Sequence, residues 1–163
     1  DEALVICVPP ADRQKINTLV RLEMDGPVED IPAIALPAEV TMTASVTREP
    51  AEQFAAHFAV DSDPDTEWSA PEGQTSAVLE LAFTRERTIQ SVKYEEKTRP
   101  IRIKAYAADR WDGTKWVEIF TRNQEANYVV KFPPVTTSRL RIRVLNMEHT
   151  ATVAEIVVED VEN

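Results

Sequence analysis

The sequence predicts an all-β protein, an eight-stranded antiparallel β-sandwich of the jelly-roll type. Short segments in which apolar and polar residues alternate are typical of half-buried strands, and turn-forming residues separate them. A length of 163 residues suits about one domain. The predicted strands are 40–46, 78–83, 89–95, 101–107, 116–120, 128–132, 139–145 and 153–158.

Local patterns support these elements one by one. The arginines at 139, 141 and 143 alternate with apolar residues, which predicts a strand with one charged and one apolar face. Asp112-Gly113 predicts a hairpin turn between two strands, and Pro133-Pro134 predicts the end of another. The only helical turn expected lies at 51–58.

The first part of the chain is predicted to be a separate unit. Residues 3–8 and 18–24 are short β-rich runs, whereas 25–37 contains three prolines and an Asp-Gly turn and predicts a boundary. We expect 1–36 to be a β remnant and linker from a preceding β-sandwich domain, and 37–163 to be one module. The chain starts at Asp1 without a signal-peptide pattern, which suggests a piece cut from a longer protein.

Composition argues against several classes of function. The 18 basic and 28 acidic residues give a net charge of -10, which disfavours binding to nucleic acid or an anionic membrane. The single cysteine, Cys7, cannot form an internal disulfide. Three glycines, at 26, 73 and 113, cannot assemble the common nucleotide-binding or nucleophile-elbow motifs, and His57 and His149 lie in no catalytic motif. We therefore do not expect a self-contained enzyme.

The densest chemical signal is the acidic loop DSDPDTEW at 61–68, where carboxylates recur at every second position. Hard carboxylate oxygens suit calcium. An EF-hand needs glycine at its sixth position, where this chain has Thr66, so that site is disfavoured. A solvated acidic loop that binds nothing is the alternative.

A wider resemblance includes this loop. FAVDSDPDTEW at 58–68 resembles the Ala-x-Asp-Gly-Asp-x-x-Thr-x-Trp signature of discoidin-like (factor 5/8 type C) domains, many of which are carbohydrate-binding modules of family 32, although Ser62 replaces the glycine. Four further segments resemble the family in the right order: 78–81, 115–119, the pair 132–135 with 139–144, and 153–157. The resemblance implies a galactose-binding-domain-like jelly roll without catalytic residues.

The resemblance also implies a structural calcium or sodium ion. Its ligands would be the side chains of Asp61, Thr66 and Glu155 and the main-chain carbonyls of Phe58, Asp63 and Ala154. Such an ion would tie together segments that are distant in the sequence and offset the repulsion between crowded carboxylates.

A sugar site at one rim of the sandwich is the second implication. The segment YEEKTRPIR at 94–102 resembles a Glu-x-x-x-x-Gly-Gln-Arg pattern of modules attached to bacterial α-L-fucosidases of glycoside hydrolase family 29. The candidate sugar-binding residues are Glu72, Glu96, Arg99, Arg102 and Trp111. Trp111 is equally suited to packing, and Arg102 to an ion pair with Glu95 or Glu96. Trp68 and Trp116 are expected in the core.

We therefore expect a non-catalytic carbohydrate-binding module that targets a multidomain bacterial glycoside hydrolase to glycans. The expected parent enzyme is similar to an α-L-fucosidase. Its expected partners are a glycan with a terminal sugar and the preceding catalytic domain of the same chain, in the periplasm, at the cell surface or secreted. The alternatives are a module of a chitobiase or hexosaminidase, and a structural spacer that packs on the catalytic domain without binding sugar.

Overall fold

The computed structural model describes residues 39–97, 100–123 and 129–161. Within these ranges the elements are β1 (Val40–Ala44), α1 (Ala51–Phe54), a 3₁₀ helix (Ala56–Val60), β2 (Trp68–Ser69), β3 (Ala77–Glu95), β4 (Ile103–Trp111), β5 (Trp116–Asn123), β6 (Val129–Met147), β7 (Thr152–Val153) and β8 (Glu155–Asp160). The predicted remnant at 1–36, its boundary and Cys7 lie outside the described residues.

The strands form an antiparallel β-sandwich, as the sequence predicts. In one layer the order is β1, the first half of β3, the second half of β6, β4 and β5. In the other layer the second half of β3 lies between β8 and the first half of β6. The long strands β3 and β6 thus belong to both layers, and the pair folds over at irregularities in its register.

Joining the predicted strands is the main correction to the sequence analysis. The segments 78–83 and 89–95 are two halves of β3, and 139–145 together with 129–132 belongs to β6. Tyr128 lies outside the described residues. Pro133 and Pro134 do not end a strand, because they lie between Lys131 and Val135, where β6 makes no ladder pair with β3. A missing N–H costs little at such a bulge.

Two smaller differences concern short elements. The predicted helical turn at 51–58 divides at Ala55 into α1 and the 3₁₀ helix, since Ala55 has an extended backbone with ψ of 152°. The strand predicted at 153–158 divides into β7 and β8, and β2, which pairs with β7, was not predicted. The hairpin at Asp112-Gly113 is confirmed: Gly113 has φ of 99°, and Asp112 Oδ1 accepts from the N–H groups of Thr114 and Lys115 at 2.9 and 2.8 Å.

Apolar side chains from both layers form the core. Tyr94 of the smaller layer meets Tyr106 of the larger one edge to face, with ring centroids 4.7 Å apart. Trp68 is fully buried, as predicted, and donates its indole N–H to the Val46 carbonyl at 3.0 Å. A gap of about 10 Å³ lies between the layers next to these two tyrosines, so the layers pack closely at this point.

The 3₁₀ helix closes one side of the sandwich. It contacts both β1 and β8, the edge strands of the two layers, and Ala59 is fully buried against them. The metal loop, defined as residues 58–66, therefore starts from a fixed position beside β8. None of the helices in the described part of the chain has the length and apolar character needed to span a membrane.

Candidate functional site

Oxygen atoms converge at the metal loop around the Thr66 hydroxyl. Thr66 Oγ1 lies 3.0 and 2.9 Å from the two carboxylate oxygens of Asp61, 3.0 Å from the Asp63 carbonyl and 3.4 Å from the Phe58 carbonyl. The hydroxyl carries one proton and can donate to only one of these acceptors at a time. Several oxygens therefore face the Thr66 hydroxyl, which cannot satisfy all of them with its one proton.

The loop is also joined to the start of β8. The Ser62 N–H donates to Glu155 Oε2 at 3.1 Å, across 93 positions of sequence. Ser62 has φ of 63°, in the left-handed region that favours glycine, so it adopts the turn for which related signatures use glycine. Ser62, Ala154 and Glu155 line a cavity of about 460 Å³ together with Glu95 and Lys97.

Burial and nearby negative charge both raise the pKa of Glu155. Burial raises the pKa of its carboxyl group, and the charges of Asp61 and Glu95 raise it further, while the hydrogen bond from Ser62 opposes them. A cation placed here would reverse the balance, because it would favour the ionised carboxylate.

The residues present fit a hard cation. No group of three or more His, Cys, Asp or Glu side chains among the described residues could hold a metal ion. The predicted site needs only two carboxylates, from Asp61 and Glu155, because a hydroxyl and carbonyls supply its other oxygens. The structure brings the Phe58, Asp61, Asp63 and Thr66 oxygens together and places Glu155 one hydrogen bond away. All-oxygen ligation of this kind suits calcium or sodium rather than a transition metal.

Three loops meet at one end of the sandwich, and their described residues form what we call the rim: 69–76, 96–97 with 100–102, and 147–152. Their main chains are joined by hydrogen bonds from the Met147 N–H to the Thr75 carbonyl at 3.0 Å, from Glu148 to Arg102 at 3.0 Å, and from Ala70 to Ala151 at 2.9 Å. These bonds connect segments distant in sequence. The rim is therefore a fixed surface rather than three independent loops.

Arg102 is fixed on the rim by two hydrogen bonds. Its guanidinium donates to the Thr150 carbonyl, and its main-chain N–H donates to Glu96 Oε1 at 2.6 Å. Glu72 is exposed on the neighbouring loop. Arg99, the fourth predicted contact, lies outside the described residues.

Glu96 is a buried carboxylate at the base of the rim. Only 3% of the residue is exposed, and its second oxygen accepts from the Ile103 N–H at 3.2 Å. Both oxygens therefore bind the main chain where β4 begins. A sugar contact by Glu96 stays a prediction, while its role in shaping the loop is visible in the structure.

Trp111 is not near the other predicted sugar contacts. It ends β4, whereas Arg102 precedes the start of that strand, and the nine residues of β4 separate them by about 25 Å. Trp111 packs edge to face on Trp116 with centroids 5.4 Å apart, and the Arg139 guanidinium lies over both rings. The structure also corrects the expectation for Trp116, which is partly exposed rather than in the core.

Two contacts at this site were not predicted from the sequence. The Lys97 ammonium donates to the Asp65 carbonyl at 2.9 Å and thereby connects the rim with the metal loop. The Thr150 carbonyl orients Arg102. Both acceptors are main-chain atoms, so residue type carries no signal for them.

Comparison with known proteins agrees with this architecture. The F5/8 type C domain profile matches residues 41–157. No curated protein is significantly similar to the chain in sequence.

Solved structures share the fold at low sequence identity. The family 32 carbohydrate-binding module of Clostridium perfringens NanJ, in complex with galactose, has a TM-score of 0.66 at 19% identity, covering 74% of this chain and 93% of that one.

Two fucosidases contain a similar domain. A Ruminococcus gnavus family 29 fucosidase in complex with fucose has a TM-score of 0.68 at 18% identity and 77% coverage of this chain. A putative α-L-fucosidase of Bacteroides thetaiotaomicron has a TM-score of 0.69 at 15% identity and 76% coverage. The chain spans only 26% and 28% of these two fucosidase chains. By its β-sandwich, its signature loop and a profile match over most of its length, this chain belongs to the F5/8 type C (discoidin) domain family.

Proposed function

We propose that this chain is a non-catalytic carbohydrate-binding module that holds a glycoside hydrolase close to its glycan. The observation that carries the proposal is the rim, where the Thr150 carbonyl orients Arg102 and the carboxylate of Glu72 is exposed on a joined loop. A fixed guanidinium and a carboxylate can bind vicinal sugar hydroxyls as donor and acceptor. The similar family 32 module that is in complex with galactose supports this class of ligand.

In the proposed mechanism the module binds and orients a sugar and catalyses no reaction. The three tied loops present Arg102 and Glu72 at fixed positions, and Arg99 would add a second guanidinium. Each hydrogen bond to a sugar contributes about 1 kcal/mol net, so we expect millimolar affinity. Such binding is useful when the module is linked to a catalytic domain, since the linkage raises the local concentration of substrate.

A structural calcium or sodium ion at the metal loop is part of the proposal. The convergence of oxygens on Thr66 supports it, and Phe58, Asp61, Asp63, Thr66, Ala154 and Glu155 would hold the ion. Bound there, it would neutralise the carboxylates and fix the loop against β8. Lys97 would carry this order to the rim through its hydrogen bond with Asp65.

The parent enzyme we propose is an α-L-fucosidase acting in the periplasm, at the cell surface or outside the cell. The fucosidases among the structural neighbours support this choice over a chitobiase or hexosaminidase. The module's proposed partners are a terminal sugar of a glycan and the catalytic domain of the same chain.

The test is a two-dimensional NMR titration of the calcium-loaded chain with L-fucose, galactose and N-acetylglucosamine. We expect one sugar to shift the amide resonances of 101–102 and of the non-proline residues in 69–76 and 147–152. Arg102→Gln should weaken that binding about tenfold, by loss of a charged hydrogen bond, whereas Arg85→Gln, at the opposite end, should not change it. A melting curve for each variant separates lost binding from lost folding.

A structural spacer is the second candidate function. The partly exposed Trp111 and Trp116, with the Arg139 and Arg141 guanidinium groups over their rings, form an aromatic and cationic surface suited to packing against another domain. The absence of resonance shifts with all three sugars at high millimolar concentration would favour the spacer.

A further inference from the structure

The side of the sandwich opposite the 3₁₀ helix contains a second cavity. It lies between the edge strand β5 of the larger layer and the first half of β6, at the edge of the smaller layer. Its volume is about 240 Å³, comparable with the size of one monosaccharide, and it shares no residue with the rim. It is lined by Tyr106, Arg122, Asn123, Val129, Val130 and Lys131.

Positive charge surrounds this cavity in a strongly acidic protein. Arg122 and Lys131 line it from opposite strands, and neither makes an ion pair with any residue in the described ranges. Most other arginines of the sheet, such as Arg139, Arg141 and Arg143, have carboxylate partners. Two cations at one cavity that have no anionic partner within the described ranges favour an anionic ligand.

A buried hydroxyl lies in the wall of the same cavity. Tyr106 is 1% exposed, and its hydroxyl has no hydrogen-bond partner among the described residues, which is uncommon for a buried polar group. Burial raises the pKa of Tyr106 to about 12, and the charge of Arg122 partly opposes the rise. The hydroxyl remains protonated at neutral pH and can donate to a ligand.

The remaining lining residues suit the body of a sugar. Asn123 offers an amide donor and acceptor for hydroxyl groups. Val129 is a large apolar residue with 43% exposure, and it provides a surface for C–H groups. A free inorganic anion would bind Arg122 and Lys131 but would need neither the Asn123 amide nor the apolar surface of Val129.

From this arrangement we infer that the cavity between β5 and β6 is a second binding site, which takes a carboxylate-bearing monosaccharide unit such as a uronate. Arg122 and Lys131 bind the carboxylate, and Asn123 and the Tyr106 hydroxyl bind ring hydroxyls. The site is independent of the rim, and the module would hold two different sugar units of one glycan.

The experiment is an NMR titration of the full chain with glucuronate. Glucose, which lacks the carboxylate, and acetate, which lacks the sugar ring, are the matched probes. We expect glucuronate to shift the amide resonances of Arg122, Asn123 and Val130 at millimolar concentration, and glucose and acetate to shift them far less. Arg122→Gln and Lys131→Gln should each weaken glucuronate binding about tenfold, whereas the exposed control Arg85→Gln should not.

A further variant separates the ligand contact from folding. Tyr106→Phe keeps the ring in the core and removes only the hydroxyl, so it should weaken glucuronate binding without lowering the melting temperature. The inference is overturned if glucuronate causes no shifts, if glucose or acetate matches it, or if Arg122→Gln behaves like Arg85→Gln. Unchanged affinity in Tyr106→Phe would also contradict it. Because the rim is tested with neutral sugars and Arg102→Gln, either site can fail without the other.

Discussion

Glu96 is the residue whose structural role can be tested most directly. Its two oxygens accept hydrogen bonds from the main-chain N–H groups of Arg102 and Ile103. In Glu96→Gln an NH₂ group would replace one of these oxygens, so one of the two N–H groups would lose its acceptor. A buried N–H that loses its acceptor costs about 1 to 3 kcal/mol. We expect Glu96→Gln to lower the free energy of unfolding by that amount, measured by urea denaturation.

The neighbouring Glu95 is the matched control. Its side chain is half-exposed and pairs with Lys93 at the surface, so Glu95→Gln should change stability by less than about 1 kcal/mol. If the two variants were equally stable, the main-chain contacts of Glu96 would not matter for folding.

Single residues also show where sequence reasoning reached its limit. Adjacent carboxylates on a strand point to opposite faces, which predicts different surroundings for Glu95 and Glu96. The sequence does not indicate which of the two is buried, because that depends on the main-chain donors of 102–103. Trp68 was correctly placed in the core, whereas Trp116 lies partly exposed beneath two arginines, which an apolar pattern alone does not predict.

At the scale of one strand, β6 presents a row of arginines whose partners lie on other strands. Asp109 of β4 is 2% exposed and accepts hydrogen bonds from Arg141 and Arg143 at 2.8 and 2.7 Å. Burial alone would raise the pKa of Asp109, but the hydrogen bonds from Arg143 and Arg141 outweigh it and hold the pKa below its usual value. The ionised Asp109 therefore stabilises the sheet.

Asp109→Asn should destabilise the protein by about 2 kcal/mol at neutral pH, because it leaves two arginines without their shared anion. A carboxyl group whose pKa is lower in the folded state than in the unfolded state stabilises the folded protein at a pH above the unfolded-state pKa. This contribution is lost as the pH falls through the folded-state pKa. The difference in the free energy of unfolding between wild type and Asp109→Asn should therefore be largest at pH 7 and decrease below about pH 4. Urea denaturation as a function of pH measures it.

Glu118→Gln provides the control on the same face. Glu118 is 54% exposed at its side chain, and its one ion-pair partner among the described residues is Arg143, so its loss should cost no more than about 0.5 kcal/mol. A difference between Asp109→Asn and wild type that stays constant down to pH 2 would contradict the role given to the Asp109 charge.

Elements were predicted well where alternation continues and less well where the chain bends. The charged and apolar faces of 139–145 follow from the period of two, and the structure pairs its arginines as a charged face should. The bends in β3 and β6 were predicted as breaks between strands, because exposed residues and prolines resemble turns in sequence. In the folded protein, these residues lie at the irregularities where the strand pair passes from one layer to the other.

At the scale of the whole molecule, the sandwich is closed by contacts between segments far apart in the sequence. The rim joins loops near 75, 102 and 148, and the metal loop joins Ser62 to Glu155. The signature at 58–68 was identifiable because it depends on residue types. The ties between loops were not, because they are formed by main-chain atoms whose approach only the complete fold determines.

The metal loop gives the last prediction, which concerns the stability of the whole domain. An ion that binds only the folded state stabilises it by about 2.7 kcal/mol when its free concentration is a hundred times the Kd. Calcium should therefore raise the melting temperature relative to the same protein in chelator. Asp61→Asn and Glu155→Gln should abolish the difference, because each removes a proposed carboxylate ligand.

Asp65→Asn is the control that separates ligation from simple relief of charge. It removes the same charge from the same loop, but the Asp65 side chain is outside the proposed ligand set, so the calcium-dependent shift should persist. If Asp65→Asn abolished the shift as completely as Asp61→Asn, calcium would be responding to the overall charge of the loop. If the unmutated chain melted at the same temperature in calcium, in sodium and in chelator with a large organic cation, the oxygens around Thr66 would hold no ion. In that case the 3₁₀ helix and the Ser62 to Glu155 hydrogen bond would be what fixes the loop against β8.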